Sequence, residues 1–369
     1  MTESRSVEEE ENMAFQRVVN AFLQYELQQT QWLKGKQNMF RLGPKELDRL
    51  CGEGEKSGVS LVVSHLQSIK QRINTNQQFL NTVTLPYEDL FPNQTKIDPQ
   101  VTNAPTKITA YHDEMEKVKS TLRQIAREWS SYGAPERDQC FLPLLNELKE
   151  RYPTPESRSG IRVLNPGGGL GRLAWEIARM GFVSQGNEFS FYMLITSNAI
   201  LNKSKEQDGT TIYPWLHSFC NLLKSEDQLK GCSFPDELPS LPPGSDFSMS
   251  AGDFLEVYTE PNTWDCVVTS FFIDTAHNVI DYIECINNIL VPGGVWINIG
   301  PLLYHWAEMP GEQSVELTFE QIVNVIKSFG MQIQEEKSKT YECIYNSNPN
   351  SMMNLVYSAE FFVAVKPKL

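Results

Sequence analysis

The chain has no dense basic segment. Its 369 residues carry 32 Lys and Arg against 46 Asp and Glu, a formal net charge of −14. Gripping a phosphate backbone takes clustered cations, so nucleic acid is not an expected partner. No apolar run approaches the ~20 residues that a membrane helix needs, and no membrane partner is expected. The opening MTESRSVEEEEN has neither an apolar signal core nor an Arg-rich transit pattern. Seven cysteines, at 51, 140, 220, 232, 266, 285 and 343, are scattered and form no Cys-x-x-Cys pair. That spacing argues against a disulfide framework and a zinc ribbon, and predicts a reducing intracellular compartment. The five histidines (65, 112, 217, 277, 305) lack ligand spacing with one another or with cysteine, so no metal is expected. Gly-x-Ser-x-Gly and Walker-type Gly-Lys-Ser/Thr sequences are missing as well, which removes two large classes of hydrolase.

What is present divides into two halves. Residues 1–155 read as helical. Phe15, Val18, Val19, Phe22 and Leu23 recur at the spacing of one apolar helix face, and Met115, Val118, Leu122, Ile125 and Trp129 repeat it. A helix is expected around 58–80, followed by a Pro/Asn-rich connection near 85–106. The Glu8–Glu11 run fits a solvated helix start. Over 156–369 short apolar runs alternate with helical segments, the pattern of βαβ units and a parallel sheet. Strands are expected at 161–165, 182–187, 265–271 and 294–300, and helices at 171–180, 190–203, 277–290 and 318–329. The segment 204–246, rich in Lys, Asp, Ser and Pro, reads as an insertion or flexible excursion. Runs over 331–343 and 355–367, joined by a polar 345–354, predict a terminal antiparallel hairpin.

The chemistry centres on 161-IRVLNPGGGLGRLAWEIARMGF-182. Glycine reaches backbone conformations closed to other residues and leaves no Cβ in a ligand's way. Strand, glycine turn and helix together present amides at a positive helix end. Such a turn alone is equally compatible with a tightly packed corner. Glu188, at the tip of the next strand, is where ribose hydroxyls are held in these folds, although a helix start would also favour it. Asp253 follows a further β-like run, and Asp274 lies past the fourth strand. The glycines, Glu188, Asp253 and Asp274 would then converge on one crevice, as expected for S-adenosylmethionine. A nicotinamide-dependent oxidoreductase is the runner-up, opposed by the shortened Gly-x-Gly-x-Gly spacing and the VPGG turn before the fifth strand.

The segments 163-VLNPGGGLGRLAWEIARMGF-182, 186-GNEFSFYML-194, 264-WDCVVTSFFIDTAHNVIDYI-283, 288-NILVPGGVWINIGPLLYHW-306 and 351-SMMNLVY-357 resemble the carnosine N-methyltransferase family. The resemblance covers nearly all of 110–367. It implies an α/β fold, a class I methyltransferase seven-stranded Rossmann-like sheet behind an N-terminal helical region. It further implies a homodimer in the cytosol and the nucleus, and methyl transfer from S-adenosyl-L-methionine to an imidazole nitrogen of carnosine, giving anserine. Carried over by position, Gly167 and Gly169 pass the cofactor's methionine and ribose, Glu188 holds the ribose, and Asp253 and Phe254 frame the adenine. Gln124 and Arg127 are implied as further cofactor contacts, and Ser270 stands beside the cofactor. Asp274, His305 and Tyr357 fall where the dipeptide binds. The chain departs from the family pattern at Asn165 (aliphatic in the family), Gly168 (alanine), Ser270 (cysteine) and Leu355 (aromatic).

Each assignment has a plainer competitor. Asp274 is either the carboxylate that accepts the acceptor's N–H or an N-cap for a helix starting near Thr275. His305 is a dipeptide contact or a core histidine, and Tyr357 a substrate contact or an inward β residue. Arg127 could pair with an acid on its own helix. Two other functions share the fold: methylation of histidine within a peptide or protein, and a catalytically weak cofactor-binding interaction module.

Overall fold

The computed structural model describes residues 7–39, 43–50, 58–90, 105–345 and 348–368. The chain divides into two compact units. The first comprises Met1–Tyr132, Lys203–Glu237 and Asn348–Met353. Its helices are α1 (Val7–Leu23), α2 (Tyr25–Met39), α3 (Pro44–Asp48), α4 (Gly58–Thr84) and α5 (Pro105–Trp129). Most of the expected connection near 85–106 lies outside the described residues; Leu85–Leu90 form a 3-10 turn. The periodic apolar faces turn inward as expected, with Phe22, Ile69, Ile73, Leu80 and Leu122 buried.

The second unit comprises Gly133–Asn202, Leu238–Ser347 and Asn354–Leu369. It contains α6 (Ala134–Arg151), α7 (Pro155–Arg158), β1 (Arg162–Pro166), α8 (Arg172–Arg179), β2 (Val183–Glu188) and α9 (Phe191–Lys203, whose last residue falls in the first unit). Two short strands, β3 (Thr210–Ile212) and β4 (Cys232–Phe234), and the helix α10 (Ser225–Gln228) belong to the first unit. The second unit resumes with β5 (Asp246–Ala251), α11 (Phe254–Val257), β6 (Trp264–Ser270), α12 (Val279–Ile289) and β7 (Leu290–Gly300). It ends with α13 (Phe319–Ser328), β8 (Gln332–Ile333), β9 (Lys339–Ile344) and β10 (Val356–Val365).

Two sequence expectations need correction. The segment 204–246 is no flexible excursion over its first two thirds: β3 and β4 pair antiparallel, and Ile212, Leu216, Cys232 and Phe234 are buried. Asn76 fastens this segment by receiving the Tyr213 N–H on its Oδ1 and donating from Nδ2 to the Tyr213 carbonyl. The polar residues interleaved with these apolar ones masked them in composition. The division also falls at Gly133 rather than 155. Helix α6 shares a core with the sheet, its Cys140, Leu144 and Leu148 packing with Val163, Val268 and Val295.

The sheet runs β5-β2-β1-β6-β7-β10-β8, with β9 beside β10. All pairs from β5 to β7 are parallel, and β10 is antiparallel to β7, β8 and β9. The expected seven positions are present; the last is split into β8 and β9, which follow one another along the same edge of β10. The central strands β6 and β7 are mostly buried because both faces are covered, whereas the edge strand β5, Asp246–Ala251, is polar and partly exposed. On β6, Cys266 and Val268 face the α6 layer while Val267 joins Phe272, Ile283 and Ile322 in the α12–α13 layer. Helix α13 shows the construction: Thr318 and Gln321 form a capping box, and Ile322 and Ile326, four residues apart, are fully buried. Each contributes about 1.5–3 kcal/mol by leaving water.

Candidate active site

The order β5-β2-β1-β6 puts the topological switch between β1 and β6, and the site residues gather at the carboxyl ends of these strands. The glycine turn leaves β1 with Gly167, Gly169 and Gly171 all in the left-handed region, at φ of 63°, 54° and 82°. Gly171 is the N-cap of α8 and contributes no side-chain cap of its own. A Cβ at Gly167 would meet the Phe272 ring at 2.5 Å, which explains glycine there beyond its backbone angle.

Glu188 clamps the turn. Its Oε2 accepts the Gly169 N–H at 2.9 Å, and its Oε1 accepts the N–H groups of Phe189 and Ser190 at 2.9 and 2.8 Å. The neighbouring strand end is tied in as well. The Glu188 carbonyl accepts the Gly252 N–H at 3.1 Å, and Asn187 Nδ2 donates to the Gly252 carbonyl at 3.0 Å. Asp253 caps α11 by accepting the Leu255 N–H at 2.8 Å. Phe254 is buried, edge-on to Phe272 and Tyr282 at 5.4 and 5.3 Å, and so belongs to the core wall of the crevice.

On the other side of the switch, Asp274 is 3 % exposed in a 3-10 turn over Ile273–Thr275. Its Oδ2 accepts the Leu303 N–H at 2.9 Å, and its carbonyl accepts the His305 N–H at 2.9 Å. The cap of α12 is Asn278, whose side chain accepts the Ile280 N–H; Asp274 does not perform that task. Burial raises the Asp274 carboxyl above the ordinary carboxylate range, opposed by the Leu303 amide and the nearby His305. The His305 side chain is exposed rather than a core histidine. Tyr357 is half-buried; its hydroxyl is raised by burial and then by the Asp274 carboxylate.

Sequence reasoning missed Phe271 and Tyr345. Their rings stack at 4.8 Å and 18°, and Tyr357 meets them edge-on at 5.7 and 6.0 Å. Phe271 sits at φ 52°, a strained angle for a bulky residue, held by its N–H donating to the Ile299 carbonyl. Its neighbour Gly300 would place a Cβ 3.2 Å from the Phe271 backbone. Their one sign in the sequence is an aromatic pair just past the end of β6; Tyr345 opens a polar connector. Gln124 and Arg127 lie on α5 in the first unit, where Gln124 donates to Glu128 at 2.6 Å and Arg127 is buried.

The donor and acceptor set suits S-adenosylmethionine. It offers a helix start for the cofactor's polar end and an acidic strand tip. Two buried polar atoms, Asn165 Oδ1 and Ser270 Oγ, have no hydrogen-bond partner among the described residues. Fold and site together define a class I S-adenosylmethionine-dependent methyltransferase. The family model for carnosine N-methyltransferase matches residues 105–368, and the chain belongs to that family. It is 43 % identical to carnosine N-methyltransferase of Rattus norvegicus over 98 % of this chain and 89 % of that protein. The identity to the Schizosaccharomyces pombe carnosine N-methyltransferase is 37 %, over 96 % of both. Among solved structures, a SAM-dependent methyltransferase from Methanosarcina mazei aligns over 60 % of this chain and 98 % of its own, at 12 % identity and a TM-score of 0.38.

Proposed function

We propose that the protein transfers a methyl group from S-adenosylmethionine to an imidazole nitrogen of carnosine, giving anserine. The observation that carries this reading is a buried carboxylate, Asp274, beside the aromatic group Phe271–Tyr345–Tyr357, in a chain whose relatives are carnosine N-methyltransferases.

When bound, S-adenosylmethionine supplies a methyl group already activated on a sulfonium. Gly167, Gly169 and Glu188 would hold its methionine and ribose, with Asp253 and Phe254 on its adenine side and Ser270 beside it; Gln124 and Arg127 are implied as further contacts by the family resemblance alone. The chain's remaining work is to align the acceptor and stabilise its developing charge. An imidazole attacks through its unprotonated nitrogen, and attack leaves the ring cationic. With Asp274 Oδ2 engaged by Leu303, Oδ1 is assigned to the N–H of the opposite ring nitrogen. That bond fixes the tautomer and opposes the growing positive charge. The aromatic faces favour the same cation by about 0.5–2 kcal/mol. His305 receives the dipeptide's polar end. The protein works as a homodimer in the cytosol and nucleus, readings that rest on the family resemblance.

The test is incubation with S-adenosylmethionine and carnosine, with the product examined by mass spectrometry and NMR. Methylated dipeptide is expected. Methylation of a protein histidine with carnosine left untouched would overturn carnosine as the acceptor.

A further inference from the structure

The segment 301–318, which follows β7, delivers the Leu303 and His305 amides to Asp274. It is pinned at its base by Tyr304, whose hydroxyl donates to the Leu317 carbonyl at 2.8 Å and accepts the Leu317 N–H at 3.1 Å. A second set of contacts fastens its flank to residues 275–278. Trp306 Nε1 donates to the Thr275 carbonyl at 2.9 Å. The His277 ring stacks on Trp306 at a centroid distance of 3.8 Å and an angle of 18°. His277 Nδ1 lies 3.0 Å from the Gln313 carbonyl, and because a carbonyl only accepts, Nδ1 carries the proton. The Val315 N–H donates to the His277 carbonyl at 2.9 Å, and Glu312 lies 3.9 Å from Nδ1.

We propose that His277 and Trp306 form a latch that positions this segment, and with it the Leu303 amide against Asp274, without either ring touching the acceptor. The His277 side chain is 48 % exposed, too open to serve as core packing. Yet its ring and backbone are used on three sides, all directed at residues 306–315. A solvent-exposed ring held this way fixes one segment more than it stabilises the whole fold. With the latch released, Leu303 loses its register with Asp274, while the glycine turn and Glu188, at the ends of β1 and β2, keep theirs. The effect therefore falls on acceptor binding and spares the cofactor. The kinetic consequence rests on the acceptor reading of Asp274; the structural one does not.

The test uses the full chain with two substitutions. His277→Ala removes both the stack and the Nδ1 bond; His277→Phe keeps a stacking ring and loses only the bond. Hydrogen exchange over 301–318 in His277→Ala is expected to accelerate by about fivefold or more, with the rest of the second unit unchanged. The KM for carnosine should rise by roughly tenfold, with kcat within about threefold. The Kd for S-adenosylmethionine, measured by calorimetry, should hold, and His277→Phe should recover much of the KM. Unchanged exchange over 301–318 would overturn the latch, as would acceleration spread evenly over the whole unit. If the wild-type chain turns over no carnosine, the acceptor reading fails, and the exchange measurement still decides the latch.

Discussion

Asp274 Oδ2 accepts the backbone N–H of Leu303 at 2.9 Å, in a residue only 3 % exposed. An asparagine at this position can still accept that N–H through its own oxygen. Toward the acceptor, however, it presents an NH2 group where a carboxylate oxygen is needed. Asp274→Asn is therefore expected to lower kcat by about 10²–10³, the usual cost of removing one electrostatic partner of a charge-developing transition state. Binding of S-adenosylmethionine, read by calorimetry, should change little. Near-normal turnover in this variant would remove Asp274 from the chemistry.

The same carboxyl makes a prediction about stability. Its folded-state pKa is raised by burial, so folding favours the protonated form. The native state then binds more protons than the unfolded chain between the two pKa values, and stability falls as pH rises through that window. The destabilisation is fully present above the folded pKa and absent below the unfolded one. Asp274→Asn carries no such charge. Its Tm should match or exceed that of the wild type at neutral pH, and the difference should shrink as pH falls through the raised pKa. A variant that loses stability uniformly with pH would contradict this.

The sequence was most informative where period and punctuation agreed. Strands β1, β2, β6 and β7 and helices α8, α9, α12 and α13 fall within a few residues of expectation, because each has a clear apolar rhythm bounded by Gly, Pro or polar residues. The glycine turn and Glu188 were legible for the same reason. The boundary at Gly133 was harder, since helical rhythm continues from α5 into α6 and says nothing about which core each helix joins. Phe271 and Tyr345 were invisible as a pair because they are 74 positions apart, one just past a strand and the other opening a connector. Their meeting depends on Phe271 adopting φ 52° and on β9 lying beside β10, neither of which local sequence encodes.

Glu188 accepts three backbone N–H groups on two oxygens. In Glu188→Gln one end becomes an NH2 donor, so either orientation sets donor against donor. Leaving such amides unsatisfied costs about 1–3 kcal/mol. Cofactor affinity is expected to fall by roughly tenfold or more, since the turn that passes the methionine and ribose is held by the same carboxylate. Calorimetry with S-adenosylhomocysteine measures this without turnover. An unchanged Kd would show that the clamp is dispensable.

Removing one aromatic wall should act on the acceptor alone. Tyr357→Phe keeps the ring beside Phe271 and Tyr345, whereas Tyr357→Ala removes it. Loss of a cation-facing ring corresponds to about 0.5–2 kcal/mol, or roughly 2- to 30-fold in kcat/KM for carnosine. Tyr357→Phe should lie near the wild type unless the hydroxyl itself grips the dipeptide. Steady-state kinetics on both variants, with cofactor saturating, separates the two contributions.

Adjacent glycines in the turn should respond in opposite ways to one added methyl. At Gly168 a Cβ would sit 3.4 Å from its nearest neighbours, the Asn165 carbonyl oxygen and the Gly186 Cα, and the residue is not in the left-handed region. The family resemblance implies alanine there, and by restricting the unfolded chain it should stabilise by about 0.4–1 kcal/mol if the neighbours stay in place. Gly167 is at φ 63°, and its Cβ would lie 2.5 Å from a carbon of the buried Phe272 ring. Alanine there adds about 1–2 kcal/mol of left-handed strain and displaces a ring packed against Phe254 and Tyr282. Urea denaturation of Gly168→Ala and Gly167→Ala should therefore move the midpoint up, or hold it, in the first and lower it clearly in the second. Equal losses in both would mean that the turn tolerates no side chain anywhere, and that its close approach extends to Gly168.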